Sequence, residues 1–208
     1  MKGTSQRRAF MAQAYLVKSA TMAAVSGLVL AGGLGRRMGG VDKGLQLLRG
    51  KPMVSWVIAR LAPQVSEIIV NANQNFQDYE KYGHRVVPDE IGGYAGPLAG
   101  LHAGLKAASH PLVASVPCDS PFLPGDLVAR LSSSLQQNDL AVAKTGDQPH
   151  PVFALVRKSL LKNLEAFLVG GGRKIDAWYA SLEVVEVGFD DEAGAFRNIN
   201  TPEELKGA

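Results

Sequence analysis

Several absences narrow the possibilities before any motif is read. The 208-residue chain has one cysteine, Cys118. It therefore has no internal disulfide, and the expectation is a reducing, cytoplasmic setting. No window of 18 or more residues is continuously apolar, so no membrane-spanning helix is expected. Residues 1–22 contain no acid but carry Lys2, Arg7, Arg8 and Lys18, so the formal charge of +3 belongs to that stretch. The rest of the chain sets 18 bases against 19 acids, a balance that gives no reason to expect a nucleic-acid partner. No internal repeat is visible. Two common phosphate-loop spacings are also missing. No window supplies GxxxxGK followed by Ser or Thr. Gly33-x-Gly35 leads to Met38 where a dinucleotide fingerprint needs its third glycine, and the second apolar strand ends in Asn71 rather than in an acid.

What is present suits a globular α/β protein. The composition is 46% hydrophobic and 20% charged. A chain of this length buries about 70% of its unfolded surface in one domain. The apolar part of the first stretch, residues 9–17, is interrupted by Gln13 and closed by Lys18, a poor secretory core. Residues 1–22 are thus expected to be a basic, disordered, dispensable extension rather than a transit peptide. Residues 23–208 are then the folded domain, with Met22 able to serve as a start.

The stretch that organises the chain is LVLAGGLGRRMGGVDKG, residues 28–44. An apolar strand over 25–30 runs into a loop with Gly32, Gly33, Gly35, Gly39 and Gly40 and the cations Arg36, Arg37 and Lys43. Glycines allow positive φ and close approach of backbone to ligand. Successive N–H groups flanked by cations make a concave anion site, so the loop reads as a cradle for a nucleoside triphosphate.

Strands are expected at 25–30, 68–70, 84–87, 112–116, 140–143, 151–156 and 182–187. Helices are expected at 53–61, 76–82, 97–108, 124–135, 158–169 and 173–179, and a final one with Thr201 at N-cap, Pro202 at N1 and Glu204 at N3. Alternation of apolar strands with helices argues a mainly parallel sheet covered on both faces. Ligands in such folds sit beyond the carboxyl ends of the strands. Lys43, Asn71, Asp89 and Asp119 all follow strand ends and can converge there.

On residue chemistry alone, each candidate has two readings. Asp119 is a lone carboxylate at the end of a buried strand, suited to a Mg²⁺ shared with phosphates, or else a turn residue ahead of Pro121. In the run NANQN the relevant amide is Asn71, Asn73 or Asn75, or all are turn residues. Asp89 contacts a nucleoside or caps the next segment, and Asp42 orients Lys43 rather than binding metal. Arg173 and Lys174, after three glycines, hold a second phosphate or are simply solvated. Cys118 has no evident His partner and is a packing residue, not a nucleophile.

The pattern LAGGxxxRMGxxDK resembles the signature of nucleotidyltransferases that activate sugars and cofactors. Its double glycine, Gly32-Gly33, is most similar to the molybdenum cofactor guanylyltransferases. The resemblance runs from about residue 25 to residue 205. It implies a single Rossmann-like domain of the nucleotide-diphospho-sugar transferase type, and transfer of GMP from GTP to the terminal phosphate of molybdopterin or the molybdenum cofactor, with Mg²⁺ as cofactor. It assigns Leu30, Ala31, Gly32, Gly33, Lys43, Asn71, Asp89 and Asp119 to the nucleotide. Arg37, Lys43 and Asp119 become the catalytic groups, and Asp119, in PCDxPF, the metal ligand. His150 in PHPVFAL, Arg173, and Asn198 and Asn200 in NINTPEEL fall on the acceptor side. A monomer with transient contacts to cofactor-delivery or acceptor proteins is the implied state. The rivals are a cytidylyltransferase for the same cofactor, a branch similar to this one with Ala at position 33; a sugar or cytidylyl-erythritol enzyme; and a non-catalytic GTP-binding module.

A version of the protein starting at Met22 is expected to keep its solubility and its kcat/KM. A several-fold loss of kcat/KM in the shortened protein would show that residues 1–22 take part in the site.

Overall fold

A computed structural model of the chain describes residues 24–33, 42–92 and 96–207. The expected extension at 1–22, with its Met22 start, and the loop arginines Arg36 and Arg37 lie outside the described residues. In chain order the elements are β1 (Val25–Leu30), β2 (Leu47–Leu48), β3 (Lys51–Pro52), α1 (Met53–Leu61), β4 (Glu67–Asn71), α2 (Phe76–Glu80), β5 (Arg85–Val87) and α3 (Pro97–Ala107). They continue with β6 (Leu112–Pro117), α4 (Leu127–Leu135), β7 (Leu140–Thr145), β8 (Gln148–Arg157), α5 (Leu161–Val169), α6 (Ile175–Tyr179), β9 (Val184–Gly188) and α7 (Pro202–Gly207).

Seven strands form one sheet in the order β5-β4-β1-β6-β8-β7-β9, and β2 and β3 form a separate small hairpin. Every neighbouring pair in the large sheet is parallel except the two that involve β8. The reversal has a local cause. Only Gly146 and Asp147 separate β7 from β8, and Gly146 takes φ +53. A two-residue connection joins antiparallel neighbours only, and positive φ matches the strand twist.

Side chains along the central strands alternate between two cores. Val25 and Val29 of β1, Val70 of β4 and Ala114 and Val116 of β6 pack with α1, α2 and α4. Leu28, Ile69 and Val113 face the other way, toward α3, α5 and α6. In α1 the buried residues are Met53, Val54, Val57, Ile58 and Leu61, one stripe at helical spacing. α3 is buried nearly all round from Leu98 to Leu105, because the sheet covers one side and α5 packs against it as well. Its glycines let it lie close to the sheet: a Cβ on Gly104 would stand 2.3 Å from Leu28 Cδ2.

A third, small cluster sets the far end of the chain. Ile199 is fully buried against Leu48 and Met53 and ties the C-terminal segment to the β2–β3 hairpin and α1. α7 then begins as its sequence requires. Glu204 N–H donates to Thr201 Oγ1 at 3.1 Å, and Glu204 Oε2 accepts from the N–H groups of Asn200 and Thr201. The parallel strands end at Leu30, Asn71, Val87, Pro117, Thr145 and Gly188, and β8 begins beside them. One edge of the sheet therefore collects the functional loops.

Gly104→Ala is expected to lower stability by about 1–3 kcal/mol, the usual cost of forcing extra volume into a packed core. Thermal unfolding checks it, and an unchanged Tm would show that α3 can shift away from β1 freely.

Candidate active site

The site is built outward from the end of β1. The hydrogen-bond ladder continues past the strand: Ala31 N–H donates to Asn71 O at 2.8 Å, and Leu30 O accepts from Cys118 N–H at 3.1 Å. These bonds bring the residues after β4 and β6 to either side of Ala31. The loop glycines are expected to allow positive φ and close approach, and neither Gly32 nor Gly33 has a positive φ. At Gly32 the constraint is room. A Cβ there would stand 2.8 Å from both Asn71 Oδ1 and Asn73 Nδ2. At Gly33 an added Cβ meets nothing within 4 Å among the described residues.

On the β4–β5 side, two amides and a carboxylate interlock. Asn71 is 2% exposed, and its Nδ2 donates to Asp89 Oδ1 at 2.8 Å and to Val87 O at 3.2 Å. Asn73 Nδ2 donates to Asp89 Oδ2 at 2.8 Å and to Gly32 O at 3.0 Å, while Asn73 Oδ1 accepts from Asp89 N–H at 2.9 Å. The run NANQN thus uses every asparagine. Asn71 and Asn73 hold Asp89 and the glycine loop, and Asn75, at φ +54, donates its amide to Asp42 Oδ2 at 3.1 Å. The period-two spacing of Asn71 and Asn73 was a signal that both side chains point to one side of an extended segment.

On the β6 side, Lys43 Nζ lies 3.2 Å from Asp119 Oδ2 and donates to Asn200 Oδ1 at 2.5 Å. Asp119 is only 8% exposed. Its backbone carbonyl accepts from Ile199 N–H at 2.9 Å, which docks the C-terminal segment alongside it. Because that segment is extended, Ile199 points into the core while its neighbours point to the site. Asn198 Oδ1 accepts from Ser120 Oγ at 2.5 Å, and Asn200 meets Lys43. Ser120 is a member of this cluster that motif reading passed over. Cys118 is buried, and desolvation, together with the carboxylates of Asp119 and Asp42, pushes its thiol pKa well up, so it stays a protonated packing residue.

The expected role of Asp42 takes a more specific form. Its carboxylate is not bonded to the Lys43 ammonium in the described structure. It caps the single 3-10 turn Lys43–Leu45, accepting from Gly44 N–H at 3.1 Å and from Tyr79 Oη at 2.6 Å. It thus orients Lys43 through the backbone.

The remaining acceptor-side candidates lie apart from the Lys43 cluster in their bonding. His150 stacks on Phe196 with ring centroids 4.6 Å apart and bonds Thr145 Oγ1 through Nε2 at 2.8 Å. Burial lowers its pKa and favours the neutral ring. Arg173 donates through one guanidinium nitrogen to Leu168 O and Gly172 O, both at 2.7 Å, and so caps the end of α5. Arg37 lies outside the described residues. Among the described residues no cluster of three or more His, Cys, Asp or Glu could cage a metal, and no helix is long and apolar enough to cross a membrane.

A largely parallel sheet, with a closely packed Gly32 after its first strand and a Lys–Asp pair beyond the strand ends, is shared with nucleotidyltransferases. The family model described as the MobA-like NTP transferase domain matches residues 27–184. A protein of Cupriavidus necator named molybdenum cofactor guanylyltransferase is 51% identical over 189 residues, spanning 88% of this chain and 94% of its own length. One of the same name from Burkholderia lata is 51% identical over 192 residues, spanning 87% and 93%. A crystal structure from Archaeoglobus fulgidus, named molybdopterin-guanine dinucleotide biosynthesis protein A, superposes with TM-score 0.74 at 29% identity, covering 88% of this chain and 95% of that one. The chain belongs to the molybdenum cofactor guanylyltransferase family.

Asp119→Ala is expected to leave less than about a tenth of wild-type nucleotidyl transfer, since it removes the carboxylate paired with Lys43 beyond the strand ends. Pyrophosphate release measures it, with circular dichroism to confirm folding. Activity above that level in a folded variant would remove Asp119 from the chemistry.

Proposed function

We propose that the protein transfers GMP from GTP to the terminal phosphate of molybdopterin or the molybdenum cofactor, releasing pyrophosphate, with Mg²⁺ as the resident cofactor. The observation that carries this reading is the meeting of Lys43, Asp119 and Asn200 beyond the ends of β1 and β6. A single ammonium is held there by groups from two distant segments, next to backbone that can approach a nucleotide. The names of the relatives supply the base and the acceptor.

Mg²⁺ fits the donor set. It takes oxygen ligands and is usually held by one or two carboxylates together with substrate phosphates. Asp119 offers a carboxylate in which Oδ2 is the oxygen bonded to Lys43, and Asn200 Oδ1, bonded to the same ammonium, is a further oxygen beside it. When bound, the ion supplies charge neutralisation on the phosphates. The chain's own groups do the rest. Lys43 offsets triphosphate charge, and Arg37 is assigned the same task by its place in the motif. Asn71 and Asn73 fix Asp89 toward the nucleoside, and the Gly32-Gly33 backbone comes close to the base. In-line attack by the acceptor phosphate on the α-phosphorus requires alignment and charge stabilisation and no covalent intermediate.

The test is kcat/KM for GTP and CTP with molybdopterin as acceptor, with Mg²⁺ and with chelator. Strong preference for GTP, and loss of turnover under chelation, are expected. Equal use of CTP would overturn the guanylyl reading, and binding of GTP without pyrophosphate release would favour a non-catalytic module. Gly33→Ala sharpens the test. Its Cβ meets no atom of the described residues within 4 Å, so the described fold gives no reason for a loss. Crowding of a purine is expected to weaken GTP use by roughly 1–3 kcal/mol and to narrow the gap to CTP. An unchanged ratio would make Gly33 a turn residue only.

A further inference from the structure

The geometry points to Tyr79 as a positioning residue for Lys43, acting through the buried carboxylate of Asp42. Asp42 is 7% exposed, and the hydrogen bonds that reach its oxygens come from neutral donors: Gly44 N–H, Tyr79 Oη and Asn75 Nδ2. Burying a carboxylate costs desolvation energy, which these hydrogen bonds offset. What the carboxylate holds in return is the turn that carries Lys43.

The connections are short and directional. A carboxylate only accepts, so the Tyr79 hydroxyl is the donor at 2.6 Å. Burial and the neighbouring Cys118 and Asp42 raise the Tyr79 pKa far above its ordinary value, so the donor proton is always present. The same Asp42 Oδ1 accepts Gly44 N–H, which fixes the peptide immediately after Lys43. Gly44 is buried, and a Cβ on it would stand 2.5 Å from Tyr79 Oη, so the turn is seated directly on the phenol. Leu45 N–H to Asp42 O and Gln46 N–H to Lys43 O close the turn, and Met53 N–H to Gln46 O ties it to the start of α1. The backbone of Lys43 is thereby held from one side while its ammonium is held by Asp119 and Asn200 from the other. A long, flexible side chain reaches a fixed point only if its root is fixed, and catalytic electrostatics depend on that placement. Asn75 contributes from a left-handed position four residues before Tyr79, so the first turn of α2 delivers both donors.

This inference rests on the reading of Lys43 as a triphosphate contact, and the experiment separates the two. Affinities of GTP and GMP are measured by calorimetry with Mg²⁺ on the full chain and on Tyr79→Phe, which keeps the ring and removes the hydroxyl. The expected result is a drop of about tenfold in the preference for GTP over GMP, with GMP affinity unchanged and kcat falling in step; loss of one hydrogen bond to a charged group is of that order. Asn75→Gly, which keeps the left-handed conformation and removes the amide, is expected to give a smaller drop in the same ratio. Equal weakening of GTP and GMP, or no change in the ratio in either variant, would overturn the proposal. Wild-type binding that favours CTP would overturn the base assignment instead, and the ratio is then read with CTP and CMP. If Tyr79→Phe fails to fold, Asn75→Gly decides alone by the same ratio.

Discussion

Lys43 is the point at which the separate parts of this protein become one site. Its ammonium lies 3.2 Å from Asp119 Oδ2 and bonds Asn200 Oδ1, residues 76 and 157 positions away in the chain. The pair is largely shielded from solvent, with side-chain exposures of 21% and 12%. Charges in such a place interact more strongly than on an open surface and cost more to leave unpaired. Much of the surrounding construction serves to hold the three residues together. β1 and β6 run side by side to bring Asp119 next to the loop, Ile199 anchors the C-terminal segment in the core, and Asp42 fixes the turn beneath Lys43.

The second half of the site follows the same logic with amides in place of charges. Asp89 is clasped by Asn71 and Asn73, and Asn73 also holds the Gly32 carbonyl. Gly100 of α3 allows this, since a Cβ there would stand 2.2 Å from Asn71 Oδ1. The two halves meet across the single residue Ala31, bonded to the end of β4, and its neighbour Leu30, bonded to the residue after β6. The site thus carries an amide–carboxylate group on one side of Ala31 and a Lys–Asp pair on the other.

The chain by itself determined the elements and the residues that had to matter. The apolar run of β1, the stripe of α1 and the Thr201-Pro202-Glu204 start of α7 are properties of short windows, and the structure repeats them nearly residue for residue. Asp119 stood out as a candidate for the same reason, as a carboxylate closing a buried strand. Tertiary structure alone decided which of these residues touch. The pairing of β8 with β6, the separate duties of Asn71, Asn73 and Asn75, the docking of Asn200 on Lys43 and the seating of Gly44 on Tyr79 all join residues far apart in sequence. Periodicity and capping are local energies, summed over a few neighbouring residues, and a sequence displays them directly. Partner choice at a site depends on strand order, register and the space left by glycines, and those are fixed only when two faces of the sheet are packed at once.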